Sequence, residues 1–166
     1  IAQALDKGTW REDLREIRGI CYISKDIPQG DSVICPSFEE VKSDKMAFAD
    51  AFRLQYDEQD PYYGRRLVQA HSNRYLVQNP PALPLTQEEM DDVYDLPYTR
   101  TWHPKYDSCG GVPALSEVQF SLVSHRGCFG SCSFCAITNY QGRIIQNRSH
   151  QSLIDEAKRM ISLDNF

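Results

Sequence analysis

Three cysteines within eight residues, Cys128, Cys132 and Cys135, constrain this chain more than any other stretch. They stand in HRGCFGSCSFCAI, spaced Cys-x-x-x-Cys-x-x-Cys, directly after the apolar run VQFSLV. Thiol side chains are short, so a loop that turns all three inward must curl around whatever they bind. A 4Fe–4S cube suits such a loop, because clusters are held by cysteine thiolates and each thiolate takes its own iron. Three local ligands leave one iron uncovered, and an open position is what separates a chemical metal site from a closed structural one. Gly127 and Gly130 permit the tight backbone path, and N–H groups in a curled loop form nests of the kind that hold Fe–S centres. Phe134, just before the third cysteine, offers an apolar cover.

The same residues admit a second reading, a zinc site with His125 or Cys109 as fourth donor. Zinc motifs usually come as two separated cysteine pairs, and this spacing fits that pattern poorly. Six cysteines in all also raise the possibility of disulfides. Half of them crowd into one loop and no secretion signal is visible, so a metal site in a cytoplasmic protein is the expectation. Cys21 and Cys35 lie in apolar runs and read as small hydrophobes. Cys109, in DSCGG, sits in a turn. His71, His103 and His150 read as structural or solvated, and no Ser–His–Asp order, P-loop or dinucleotide fingerprint is present.

Charge sharpens the picture around the loop. Between Glu117 and Asp155 there is no acidic residue, while Arg126, Arg143 and Arg148 all fall inside, a setting agreeable to an anion. Over the whole chain the net charge of −5 counts against a protein that coats nucleic acid. No run approaches the ~20 apolar residues of a membrane helix, so no membrane partner is expected. The chain does not begin with Met and reads as a piece of something longer.

Along the chain, Thr9 with Glu12 predicts a capped helix ending at Gly19. IRGICYIS and SVICP predict two strands joined as a hairpin over residues 17–36. Ser37 with Glu40 predicts a helix start, and Ser43 a cap for DKMAFADAFRLQYDEQ, in which Phe48, Phe52 and Tyr56 mark one apolar face. RRLVQAHSNRYLVQN predicts a hairpin turning at His71 to Arg74. The prolines of NPPALPL mark a boundary, because they suit neither ladder nor helix interior. Thr86 with Glu89 caps a short acidic helix, and residues 97–113 read as loop, with Tyr94, Tyr98 and Tyr106 packing beneath it. Val118, Phe120 and Leu122 alternate as a half-buried strand would. Ser149 then caps a helix whose apolar face is Leu153, Ile154, Ala157, Met160 and Ile161. Strand, functional loop and helix together make one unit of a parallel α/β barrel. The fold class is therefore α/β, an α+β region over 1–80, a loop-rich linker over 81–115, and a first β-loop-α unit over 116–166.

Cys128, Cys132, Phe134 and Cys135 together resemble the Cys-x-x-x-Cys-x-aromatic-Cys motif of the radical S-adenosylmethionine (radical SAM) enzymes. The longer text EVQFSLVSHRGCFGSCSFCAITNYQGRIIQNRS is similar to the YgiQ-type (UPF0313) branch, a likeness that runs back through YLVQNPPALPL and LPYTRTWHP. The resemblance implies a 4Fe–4S cluster on the three cysteines, its free iron chelating the amino and carboxylate groups of S-adenosylmethionine. It implies an electron donor, reductive cleavage to methionine and a 5′-deoxyadenosyl radical, and hydrogen abstraction from a substrate the residues do not name. Phe134 would cover the cluster, and Arg143 or Arg148 would pair with the cosubstrate's carboxylate. Later strands would complete a partial barrel, so the chain alone is expected to be inactive. A zinc- or cluster-stabilised interaction module without catalysis is the alternative.

Overall fold

A computed structural model of the protein describes residues 1–8, 14–163 and 166. The expected Thr9–Glu12 cap lies outside the described residues. Two compact units emerge, residues 1–84 and 85–166.

The first unit is a four-stranded sheet with two helices in its longest crossover. After a short helix α1 (Ala2–Asp6) come β1 (Cys21–Ser24) and β2 (Ser32–Cys35), then α2 (Phe38–Ser43), α3 (Lys45–Asp57), β3 (Arg66–His71) and β4 (Arg74–Gln78). The β3–β4 hairpin is as predicted, with Ser72 at φ 54° making the turn. The hairpin expected over 17–36 is not formed: the strand order is β1-β4-β3-β2. β2 runs parallel to β3, and a parallel pair needs a long crossover. The helices between them provide one, whereas β1 joins the far edge, antiparallel to β4.

Local signals in this unit held where they were short in range. Ser37 and Glu40 form a reciprocal capping box. The cap of α3, however, is Asp44, whose side chain accepts from the Met46 N–H. Ser43 instead closes α2, its hydroxyl donating to the Glu39 and Glu40 carbonyls. The aromatic face of α3 is outward, with Phe48 60% and Phe52 51% exposed. The residue buried from this helix is Ala51, small enough for close approach to the sheet. Val68 and Val77, cross-strand partners, are fully buried at the centre. Cys35 is buried as expected, but Cys21 is exposed.

The second unit opens with α4 (Gln87–Asp95), capped by the predicted Thr86–Glu89 box. A 3₁₀ turn (Pro104–Cys109) interrupts the expected loop. The strand expected at 118–122 is replaced by a single helical turn, α5 (Leu115–Val118). The Gln119 and Ser121 N–H groups bond back to Leu115 and Val118, at 2.9 and 3.0 Å. Alternation specifies a strand only when another strand lies alongside, and among the described residues none pairs with this segment. Val118, Phe120 and Leu122 are accordingly exposed. Two-residue strands β5 (His125–Arg126) and β6 (Gln146–Asn147) pair antiparallel, with α6 (Ile137–Gln141) between them. Last comes α7 (His150–Ile161), capped by Ser149 as predicted. Met90 of α4 and Met160 of α7 are the buried apolar side chains of this unit among the described residues, while Ile154 and Ile161, assigned to the inward face, are exposed.

Candidate functional site

The cysteine loop is a bulge on a pinched stem. At its root His125 faces Asn147 and Arg126 faces Gln146, and one step further the Cys128 N–H donates to the Gly142 carbonyl at 3.0 Å. Below the strands the Arg148 N–H donates to Ser124 O at 3.0 Å. Gly127, at φ 87°, lets the two legs close on one another. Residues 128–142 therefore leave and rejoin the unit at one point.

Inside the bulge two of the three thiols face the same bare spot. A β-carbon added to Gly130 would stand 3.4 Å from Cys128 Sγ and 3.7 Å from Cys132 Sγ. The Gly130 N–H points at Cys128 Sγ, 3.4 Å away. Cys135 follows on a tight turn, its N–H bonded to Cys132 O at 3.0 Å. All three are free thiols, Cys132 exposed and the others half-buried. The donor set and the side-chain-free space at Gly130 fit a sulfur-rich group seated on the loop. Among the described residues no three His, Cys, Asp or Glu side chains are gathered around one point as ligands of a single ion would be.

The remaining predicted residues divide. Arg143 reaches into the loop and donates to Ser131 Oγ at 2.9 Å, and Ser131 is the residue held at φ 47° between the first two cysteines. Phe134 is 91% exposed beside Cys135. Arg148 is held within the unit by partners of its own. Expected beside a cosubstrate carboxylate, it is buried, with a side chain 0% exposed. Its guanidinium pairs with Glu156 and donates to Val123 O at 3.0 Å, Ser152 O at 3.1 Å and Ser152 Oγ at 2.8 Å. It is a structural arginine. Of the candidate fourth donors, His125 Nδ1 lies 2.9 Å from Ser124 Oγ, and Cys109 sits on the 3₁₀ turn near Ser108. His71 stacks on Phe38, and His103 caps the 3₁₀ turn through Nδ1.

Sequence reasoning missed the group around Arg148. Tyr94 of α4 lies beneath the guanidinium, with 4.1 Å between the carbon and the ring centroid, and Arg126 approaches the same ring at 5.4 Å. Glu156 takes Arg148 on one carboxylate oxygen and Arg100 on the other, the latter at 2.5 Å. Burial works against its ionisation, yet the hydrogen bonds from Arg100 and Arg148 prevail and hold its carboxyl below the ordinary range. The signal that could have found it is the helical spacing of Glu156, three residues after Leu153 and four before Met160, which puts a carboxylate on the apolar stripe of α7. In the acid-free stretch Arg148 is thus paired from α7, Arg143 bonds within the loop and Arg126 lies over Tyr94.

Comparison with known proteins follows the same lines. The family model described as Radical SAM N-terminal matches residues 1–121. A UPF0313 protein of Clostridium botulinum (strain 657) is 52% identical over the whole chain, and one of Clostridium perfringens (strain 13) is 49% identical. The chain spans only about a quarter of the length of these relatives, 26% and 25%. No solved structure matches it. Among the described residues no helix is long and apolar enough to cross a membrane.

Proposed function

The chain belongs to the Radical SAM N-terminal family, and from that premise we propose that Cys128, Cys132 and Cys135 hold a 4Fe–4S cluster with one iron left open for S-adenosylmethionine. When bound, such a cluster supplies the electron, delivered by a donor, that cleaves the cosubstrate to methionine and a 5′-deoxyadenosyl radical. The observation that carries the reading is the pair of free sulfurs converging on Gly130, in a motif spacing that places the third thiol on the following turn. Cysteine is the usual cluster ligand, and three cysteines on one loop leave the fourth corner to a cosubstrate.

The chain's own residues have separable tasks. The three thiolates bind. The Gly130 N–H offsets thiolate charge, and the missing side chain leaves room for the group. Arg143, through Ser131, orders the loop and would pair with the cosubstrate's carboxylate. Phe134, exposed beside Cys135, supplies an apolar ring that would cover the group. On this reading residues 116–166 carry the cluster loop and the helix that follows it, although the strand that would open a barrel unit at 118–122 is a helical turn instead. The cofactor supplies the radical chemistry, and the protein supplies ligation, orientation and exclusion of water.

Metal and sulfide analysis of the full-length protein, purified and reconstituted without oxygen, tests this. Iron and sulfide in equal amounts, a brown colour, and consumption of S-adenosylmethionine on reduction are expected. One tightly held zinc without sulfide would instead make the loop a structural element of a non-catalytic interaction module. A fourth side chain that permanently occupies the last iron would equally defeat the proposal.

A further inference from the structure

The two legs of the cysteine loop are held by a device that contains no ligand. Arg148 is the first residue after β6, and its backbone N–H donates across the stem to Ser124 O. Its side chain crosses the same stem to Val123 O at 3.0 Å. One guanidinium therefore grips the incoming leg while its own backbone belongs to the outgoing leg. The same group is clamped to α7 through Ser152 and Glu156 and lies over the ring of Tyr94 of α4. Glu156, 4% exposed, is steadied from the other side by Arg100. Ser149 adds a last tie, its N–H donating to Asp91 Oδ1 at 2.9 Å.

We propose that Arg148 and Glu156 are positioning residues, which fix the root of the loop and so set the distance of Cys128 from Cys132 and Cys135. This rests on the reading that those three thiols hold a cluster. The physical argument is leverage. The stem has only two residue pairs of ladder, too few to hold a loop in register alone. A planar guanidinium with several donors in fixed directions supplies the missing rigidity, which an ammonium on a flexible stem does not. A buried ion pair broken on one side leaves an uncompensated charge, so the grip is lost as a whole.

The test uses full-length protein carrying Glu156→Gln, with Arg148→Lys as the second variant should the first not fold. Hydrogen exchange of the metal-free protein reads the stem directly, at the Cys128 and Arg148 amides. Exchange there is expected to quicken by about tenfold or more in the variants. In reconstituted protein, release of iron to a chelator is expected to quicken by about tenfold or more, as for lost outer-shell partners of metal ligands. The electron paramagnetic resonance line of the reduced cluster should broaden. Two controls separate positioning from general stability. Arg159→Ala removes the exposed pair that this residue of α7 makes with Asp95 of α4, together with its long bond to the Tyr94 carbonyl, and should change neither readout. Met90→Ala truncates a buried side chain of α4 that has no polar atom to offer the stem, and should lower the melting point with less iron release than the two variants at matched stability. Stem exchange at the wild-type rate in Glu156→Gln or Arg148→Lys overturns the proposal. So does faster exchange with unaltered iron release, or equal iron loss in Met90→Ala at matched stability. Wild-type protein that takes up no iron and sulfide would defeat the cluster reading instead, and the exchange data would still decide whether the pair holds the stem.

Discussion

Gly127 and Ile144 stand back to back across the stem of the cysteine loop, so close that a β-carbon on Gly127 would lie 2.1 Å from the Ile144 carbonyl oxygen. The glycine also sits at φ 87°, where side chains are rarely tolerated. Both facts act on the point where the two legs meet. Gly127→Ala should therefore open the stem and prevent cluster loading, read as iron and sulfide per protein. Gly142→Ala is the matched comparison, with φ 82° but nothing within 4 Å of the added carbon. It carries the backbone strain alone and should retain most of the cluster.

Cys132→Ala should abolish cluster assembly while leaving the sheet of residues 1–84 folded, because the Val68–Val77 centre lies in the other unit. Far-ultraviolet circular dichroism and iron analysis on the same sample check both halves. Retention of a full cluster would overturn the ligand assignment.

Met90 is fully buried between α4 and its surroundings, with no polar role. Truncation to Ala should cost about 3 kcal/mol, the usual range for a large buried apolar side chain. Denaturant melts followed by the fluorescence of Trp102, in the same unit, measure it. A loss of a few tenths would mean that this core is not packed as described.

Glu58 gives the first unit an acid-sensitive contact. Hydrogen bonds from Arg65 outweigh the burial that opposes ionisation and hold its carboxyl below the ordinary glutamate value. A depressed carboxyl contributes stability that is fully present above the unfolded value, about 4.3, and is lost as pH falls through the lower folded value. The stability of metal-free protein should thus decline more steeply on acidification in the wild type than in Glu58→Gln. Parallel curves for the two would rule this contact out.

The cysteines should differ sharply in reactivity. Burial, and then the neighbouring Glu58 charge, push the Cys35 thiol up, away from the thiolate that alkylating reagents attack. Cys132 is exposed. In metal-free protein at mildly alkaline pH, peptide mass spectrometry should find Cys132 alkylated well before Cys35. The reverse order would show the β2 region to be open.

What could be read from the sequence was whatever a few neighbouring residues decide between themselves. The capping boxes at Ser37–Glu40 and Thr86–Glu89, the Ser149 cap and the hairpin at His71–Arg74 all depend on hydrogen bonds spanning three or four positions. The order and spacing of Cys128, Cys132 and Cys135 are likewise written in the chain. Which surfaces meet was decided only in three dimensions. β2 chose β3 over β1, the aromatic face of α3 turned outward in favour of Ala51, and the alternating run at 118–122 found no strand beside it among the described residues. Arg148 looked in sequence like a cation waiting for an anion, and the anion proved to be Glu156, one helix segment away. Burial and pairing are properties of partners distant along the chain, and periodicity in one segment carries no information about whether the partner arrives.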